Sequence, residues 1–154
     1  MSGRRLRVQV PMRWSDMDAY GHINNVNLVR MMEEARIASF GVPGGTGKPG
    51  NAPAVELFSS VPDGTQTLVV EHRIRYVRPL DYRNVPADVD VWVSAVKPAS
   101  FDMSYEFRDP FGGELCVKAT TTLAFFSAAE SRVLRIPADR REALGEFLGD
   151  PVFR

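Results

Sequence analysis

The chain has 154 residues, 44% of them hydrophobic and 25% charged, with nine Phe, four Tyr and two Trp. That suits a single domain over residues 1–154 with an apolar core, and it excludes a chain disordered along its length. Nineteen basic residues balance nineteen acidic ones, so the composition lacks the basic excess of a nucleic-acid or acidic-membrane binder.

The N-terminal Met1-Ser2-Gly3-Arg4-Arg5 has no apolar core of a signal peptide, and no apolar run is long enough to span a bilayer. The expectation is a soluble, cytoplasmic protein. One cysteine, Cys116, can build neither an intrachain disulfide nor a cysteine-rich metal site. Two histidines without metal-ligand spacing lead to the expectation of no metal.

From Leu6 to Trp14 every second residue is apolar, which predicts a strand with one buried face. Pro11 places it at an edge or a bulge. Residues 15 to 25, SDMDAYGHINN, are polar and aperiodic and read as a loop. Asn24 or Asn25 is suited to cap a following helix. Val26 to Phe40 carries Leu28, Met31, Met32, Ala35 and Ala38 at helical spacing, and Val29, Ile37 and Phe40 widen the apolar surface. A helix that broadly apolar is expected to be wrapped by other structure. Gly41 supplies its stop.

Residues 41–53 hold five glycines and three prolines and form a connection, with the glycine-rich part 44–50 placed near a site entrance. A short strand is expected at Ala54 to Ser60 and a turn at Pro62-Asp63-Gly64. Four strands then follow without a helix: Leu68 to Arg78, Ala87 to Val96, Phe101 to Arg108 and Glu114 to Phe126. In the first, Leu68, Val70, His72, Ile74 and Tyr76 share a face. Trp92 points away from the valine face of its strand and marks a subunit interface on this reading. Pro137 to Leu148 reads as a terminal helix with Pro137 in its first turn. Consecutive strands without helices pair antiparallel. The predicted fold is α+β: a curved antiparallel sheet wrapped around a long central helix, with a short C-terminal helix.

Functional side chains are densest at Asp16, Asp18, Tyr20, His22, Asn24 and Asn25, between a strand and the start of the helix. The first N–H groups of a helix lack internal partners and carry partial positive charge. They suit a developing oxyanion. A carboxylate a few residues upstream can reach the same carbonyl, to attack it or to deprotonate water. Gly21 lets backbone approach a ligand. Asp16 is expected to orient the loop or pair with Arg13. No G-x-S-x-G elbow is present, so a serine hydrolase is disfavoured.

The stretch RWSDMDAYGHINNVNLVRMMEEAR resembles the motif of 4-hydroxybenzoyl-CoA thioesterase-like hotdog proteins, R-x-x-D-x-D-x-x-G-H-x-N-N followed by a helix with E-E-A-R. IRYVRPL at 74–80, KPASF at 97–101 and RIPADRREAL at 135–144 resemble later family segments in the same order. The resemblance implies a hotdog fold and hydrolysis of acyl-CoA thioesters without a metal or redox cofactor. It implies Asp18 as the catalytic carboxylate, a polarising backbone N–H near Asn25, and active sites at the interface of a homodimer or homotetramer. His22 is a further catalytic candidate. Tyr20, Gly21 and Asn24 are candidate substrate contacts, and the hairpin with Lys97 and Ser100 resembles the part that meets the CoA phosphates. Related branches place the carboxylate on the helix, where Glu33 or Glu34 would serve. Two other readings share the scaffold: an enoyl- or hydroxyacyl-thioester hydratase, and a non-catalytic acyl-thioester-binding protein. Hydratases of this kind carry D-x-N-P-x-H; here His22 follows Asp18 by four residues with no Pro between.

Overall fold

The structure, a computed structural model, describes residues 4–42, 47–58 and 64–153. Its elements are β1 (Leu6–Val10), a 3-10 turn (Trp14–Asp16), α1 (Asn25–Phe40), β2 (Thr65–Tyr76), β3 (Ala87–Val96), β4 (Phe101–Arg108), β5 (Leu115–Ser127), β6 (Arg132–Val133) and α2 (Ala138–Gly145). The strands form an antiparallel sheet in the order β1-β3-β4-β5-β2. The short β6 pairs with the end of β5 at Phe126 and Ser127.

The sheet does not wrap around the helix. β1 and β2 are its two edges and do not pair with each other, so the sheet stays open. α1 lies over one face, closest to β1 and β3. The reason is in the helix itself. Its buried residues, Leu28, Met31, Met32, Ala35, Arg36, Ser39 and Phe40, recur at three- and four-residue steps and make a one-sided stripe. Ala38 is exposed and Val29 and Ile37 are half-buried. Alanine is apolar but does not demand burial, so composition overstated the stripe's width. Under α1, Val89, Val91, Val93, Met103, Tyr105, Phe107, Val117, Ala119 and Leu123 complete a contiguous core.

Other boundaries shift for local reasons. β1 ends at Val10; Trp14 joins the 3-10 turn and is 71% exposed. Residues 54–58 form no strand, and residues 59–60 and Pro62-Asp63 lie outside the described residues, as do residues 44–46 of the glycine-rich part. β2 carries a bulge between Val69 and Glu71. A bulge switches which side chains share a face. The helix-facing residues are therefore Thr65, Thr67 and Val69 before it, and His72, Ile74 and Tyr76 after it, opposite Leu123, Thr121, Ala119 and Val117. Leu68 falls on the other face.

Trp92 does not mark a subunit interface. It is 1% exposed, and its indole N–H donates to the Asp150 carbonyl at 2.8 Å. The chain after α2 covers it and continues the β1 edge, with Leu148 bridging Val93 in parallel. Pro137 sits just before α2 as its N-cap residue. Among the described residues no helix is long and apolar enough to cross a membrane.

Candidate active site

The loop between β1 and α1 is a tight, pinned hairpin. Met17 and Ile23 bridge antiparallel, and His22 bridges Asp81. The Asp18 N–H donates to the His22 carbonyl at 2.7 Å, and the Gly21 N–H to the Asp18 carbonyl at 3.2 Å. Gly21 has φ of 80°. That left-handed position after the turn is where glycine is favoured. The Ile23 N–H donates to Leu80 and the Tyr82 N–H to Gly21, which fastens the hairpin to the segment after β2.

Asp18 is held by one oxygen. Its Oδ1 accepts from the Tyr20 N–H at 2.8 Å and the His22 N–H at 3.2 Å. Its Oδ2 has no hydrogen-bond partner among the described residues. One oxygen thus does the turn work expected of a loop aspartate, and the other stays free for chemistry.

The helix start is equally selective. The Val26 N–H donates to the Asn24 side-chain oxygen at 3.0 Å, and the Asn27 and Leu28 N–H groups donate to the Asn24 carbonyl. Asn24 is therefore the cap. The Asn25 N–H alone in this turn has no partner among the described residues, and it sits at the positive end of the helix.

Asp18, His22, Asn24 and Asn25 line a common cavity of about 400 Å³ with Leu28, Val117 and residues 76–80. Its buried lining residues, Ile23, Leu28, Leu80 and Val117, are apolar, with a few polar groups from Asp18, His22, Asn24 and Asn25, as in small-molecule sites. The His22 Nε2 lies 3.6 Å from an Asp81 oxygen. Arg83 pairs with Asp109 at 3.1 Å and reaches Asp81 at 4.0 Å. Burial raises the Tyr76 phenol above its usual range and keeps it neutral.

Asp16 is structural. It is fully buried, and its carboxylate binds Arg13 (3.0 Å), Arg30 (2.6 Å) and the Arg13 N–H (2.7 Å). Burial alone would raise this carboxyl, but the Arg13 N–H, the Arg13 guanidinium and Arg30 outweigh it and hold it below the ordinary carboxylate range. Its backbone carbonyl accepts from the Asn24 N–H, which ties the hairpin to the start of α1.

Not every candidate gathers here. Tyr20 is 83% exposed, and neither it nor Gly21 lines the cavity. Lys97 and Ser100 lie in the turn between β3 and β4. The register puts that turn at the Val96, Phe101 and Leu123 end of the sheet, whereas Asp18 is at the Val10, Ala87 and Val117 end. Glu33 and Glu34 are exposed on α1 and line a different cavity. Cys116 is buried, and burial pushes its thiol up, as suits an inert group. Among the described residues no cluster of His, Cys, Asp and Glu could hold a metal ion. Asp81 and the wall formed by residues 76–80 had no assigned role from sequence, although IRYVRPL ends directly before Asp81.

The family model for the thioesterase-like superfamily matches residues 12–144. The chain belongs to that superfamily. Solved structures of similar fold include a predicted thioesterase from Bacillus stearothermophilus, 21% identical, with a TM-score of 0.74 over 96% of this chain and 99% of that one. A thioesterase from Thermus thermophilus, complexed with coenzyme A and Zn, is 23% identical, with a TM-score of 0.68 over 95% and 96%. The 1,4-dihydroxy-2-naphthoyl-CoA thioesterase Slr0204 from Synechocystis is 14% identical, with a TM-score of 0.69 over 93% and 97%. No curated protein matches the chain. At these identities the structural likeness is one of fold, and function has to be argued from the site.

Proposed function

We propose that this superfamily member hydrolyses acyl-CoA thioesters to the free acid and CoA, with Asp18 as the catalytic carboxylate. The observation that carries the reading is the presence, at one cavity, of two groups with no hydrogen-bond partner among the described residues: the Asp18 Oδ2 and the Asn25 N–H. Asp18 takes a proton from water as the water oxygen bonds to the thioester carbon. The carbonyl π pair moves to oxygen, and the oxyanion accepts from the Asn25 N–H. When the carbonyl re-forms, the C–S bond breaks and the thiolate leaves, taking up the proton from Asp18 directly or through His22. One water and one thioester become one acid and one thiol. Direct attack by Asp18 would form a mixed anhydride that water then opens, with the same net products. Asn24 shapes the entrance, and Tyr20 and Gly21 flank it.

The active unit is a homodimer in this proposal. β2 is a twelve-residue edge strand, and Leu68, Val69, Val70 and Tyr76 are exposed along it. A long apolar edge is a template for pairing with another copy. Antiparallel pairing of two β2 edges sets the Thr65 end of one protomer beside the Tyr76 end of its partner. That brings the Lys97–Ser100 end of one sheet towards the Asp18 cavity of the other, where Lys97 would reach the CoA phosphates. Two such dimers would make the homotetramer.

The test is thiol release from a panel of acyl-CoA and acyl-carrier-protein thioesters, with crotonyl-CoA absorbance followed in parallel. Release of free thiol from at least one thioester is the expected result. No release from any, or loss of the enoyl absorbance without thiol, contradicts the proposal, and the second outcome favours a hydratase.

A further inference from the structure

A second cavity of about 430 Å³ lies between the C-terminal half of α1 and the β2 side of the sheet. Its walls include Ile37, Val69 and Leu123, and its polar side chains are Arg36, Thr67 and the exposed Glu33 and Glu34. It exists because the open sheet leaves the β2 side of the helix uncovered.

Arg36 is the unusual member. Its side chain is 7% exposed, yet a guanidinium brings five N–H donors. The one hydrogen bond it makes among the described residues is to the Tyr105 hydroxyl at 3.2 Å. Its nearest carboxylate oxygen, on Glu33, is 3.8 Å away, beyond hydrogen-bond reach, on a side chain 67% exposed to water. Across the sheet, the Thr121 hydroxyl meets His72 Nδ1 at 3.0 Å. Neither Tyr105 nor these two groups supplies an anion. A buried charge so sparsely satisfied is costly unless something else meets it. The Thr67 hydroxyl, in the same cavity, is shielded from water and also lacks a partner among the described residues.

The two cavities lie along one side of α1. Tyr76 and Val117 line the first, and Val69 and Leu123 the second. Between them the helix-facing residues of β2, Ile74 and His72, are only half-buried. Eleven residues of helix separate Asn25 from Arg36, a rise of about 16 Å. That is the length of an extended acyl chain of roughly a dozen carbons.

We propose that the Arg36 cavity is a specificity subsite for the far end of the acyl group, taking a chain that ends in an oxygen acceptor (a carboxylate or a hydroxyl) rather than a methyl. The inference rests on the acyl-thioester reading above and names its substrate class. Arg36 and Thr67 donate to the terminal oxygen, the apolar walls hold the methylenes, and Glu33 swings into solvent when a carboxylate enters.

The experiment compares dodecanoyl-CoA, 12-hydroxydodecanoyl-CoA and the CoA thioester of dodecanedioic acid, on wild type, Arg36→Gln and Thr67→Val. Wild type is expected to prefer an oxygen-ended chain over the methyl-ended one by at least about tenfold in kcat/KM. Better turnover of the dioic thioester identifies a carboxylate end, and of the hydroxy thioester a hydroxyl end. Each variant is expected to erase the preference while keeping the dodecanoyl-CoA rate; Thr67→Val covers the case in which Arg36→Gln does not fold. Equal rates on all three thioesters, or a preference that survives both variants, overturns the subsite. Calorimetric binding of free dodecanedioate, 12-hydroxydodecanoate and dodecanoate reads the cavity without catalysis. Oxygen-ended binding that Arg36→Gln abolishes, in a protein that hydrolyses no thioester, keeps the subsite and sinks only the thioesterase reading. No oxygen-ended binding, with Arg36→Gln dissociating the oligomer in sedimentation, shows that a second copy fills the cavity and overturns the proposal.

Discussion

Two neighbouring aspartates carry opposite duties because their surroundings differ. Asp18 keeps an oxygen free at a cavity rim, while Asp16 spends both oxygens on arginines and backbone. The lowered ionisation of Asp16 sets a pH signature. Its folded carboxyl ionises below the unfolded value of about 3.9. The stability it contributes is therefore fully present above roughly pH 4 to 5 and is lost as pH falls through the folded value. Thermal melts between pH 3 and 7 are expected to show wild type losing stability at the acid end. Asp16→Asn is expected to be less stable at pH 7 by about 2 kcal/mol and flatter towards acid. An unchanged melting profile would remove Asp16 from that role. At this scale the sequence was most readable where motif and cap chemistry coincided, at Asp16, Asp18, Asn24 and Asn25. It was silent on Asp81, because what singles that residue out is His22, a neighbour far away in the chain.

The hairpin of residues 17–23 is what turns a polar loop into a site. Gly21 at φ of 80° has open space around it, so a methyl there meets no neighbour and the whole effect is backbone strain. Gly21→Ala is expected to cost about 1 kcal/mol in a denaturant melt. It is also expected to lower kcat about tenfold or more by disturbing the Tyr20 and His22 N–H groups that clip Asp18. Unchanged stability and rate would mean the turn is less exacting than its geometry indicates. Element type was well predicted from period for α1, β3, β4 and β5. The errors arose where period alone was blind. The β2 bulge reversed half a strand's faces, and α1 showed a narrow buried stripe because Ala38 did not need cover.

For the whole molecule, the open sheet is the feature that sequence pattern could not anticipate. Apolar spacing reports that a face is buried, but not how far the sheet bends around what buries it. The uncovered β2 edge makes the dimer testable. Val70 is 64% exposed at the bulge, so Val70→Lys leaves the core intact while placing a charge on the proposed seam. Sedimentation is expected to shift towards monomer with a parallel loss of turnover. Identical sedimentation would rule out edge pairing through β2.

The central claim is that the free oxygen of Asp18 performs the chemistry, and it has a clean substitution. Asp18→Asn keeps a side-chain oxygen to accept from Tyr20 and His22 and removes only the carboxylate charge. Thiol release from the best acyl-CoA, measured on wild type and Asp18→Asn, tests it directly. The predicted result is a fall in kcat of about 10² to 10⁴-fold with Tm within about 2 °C of wild type. A fully active, folded Asp18→Asn would contradict the account.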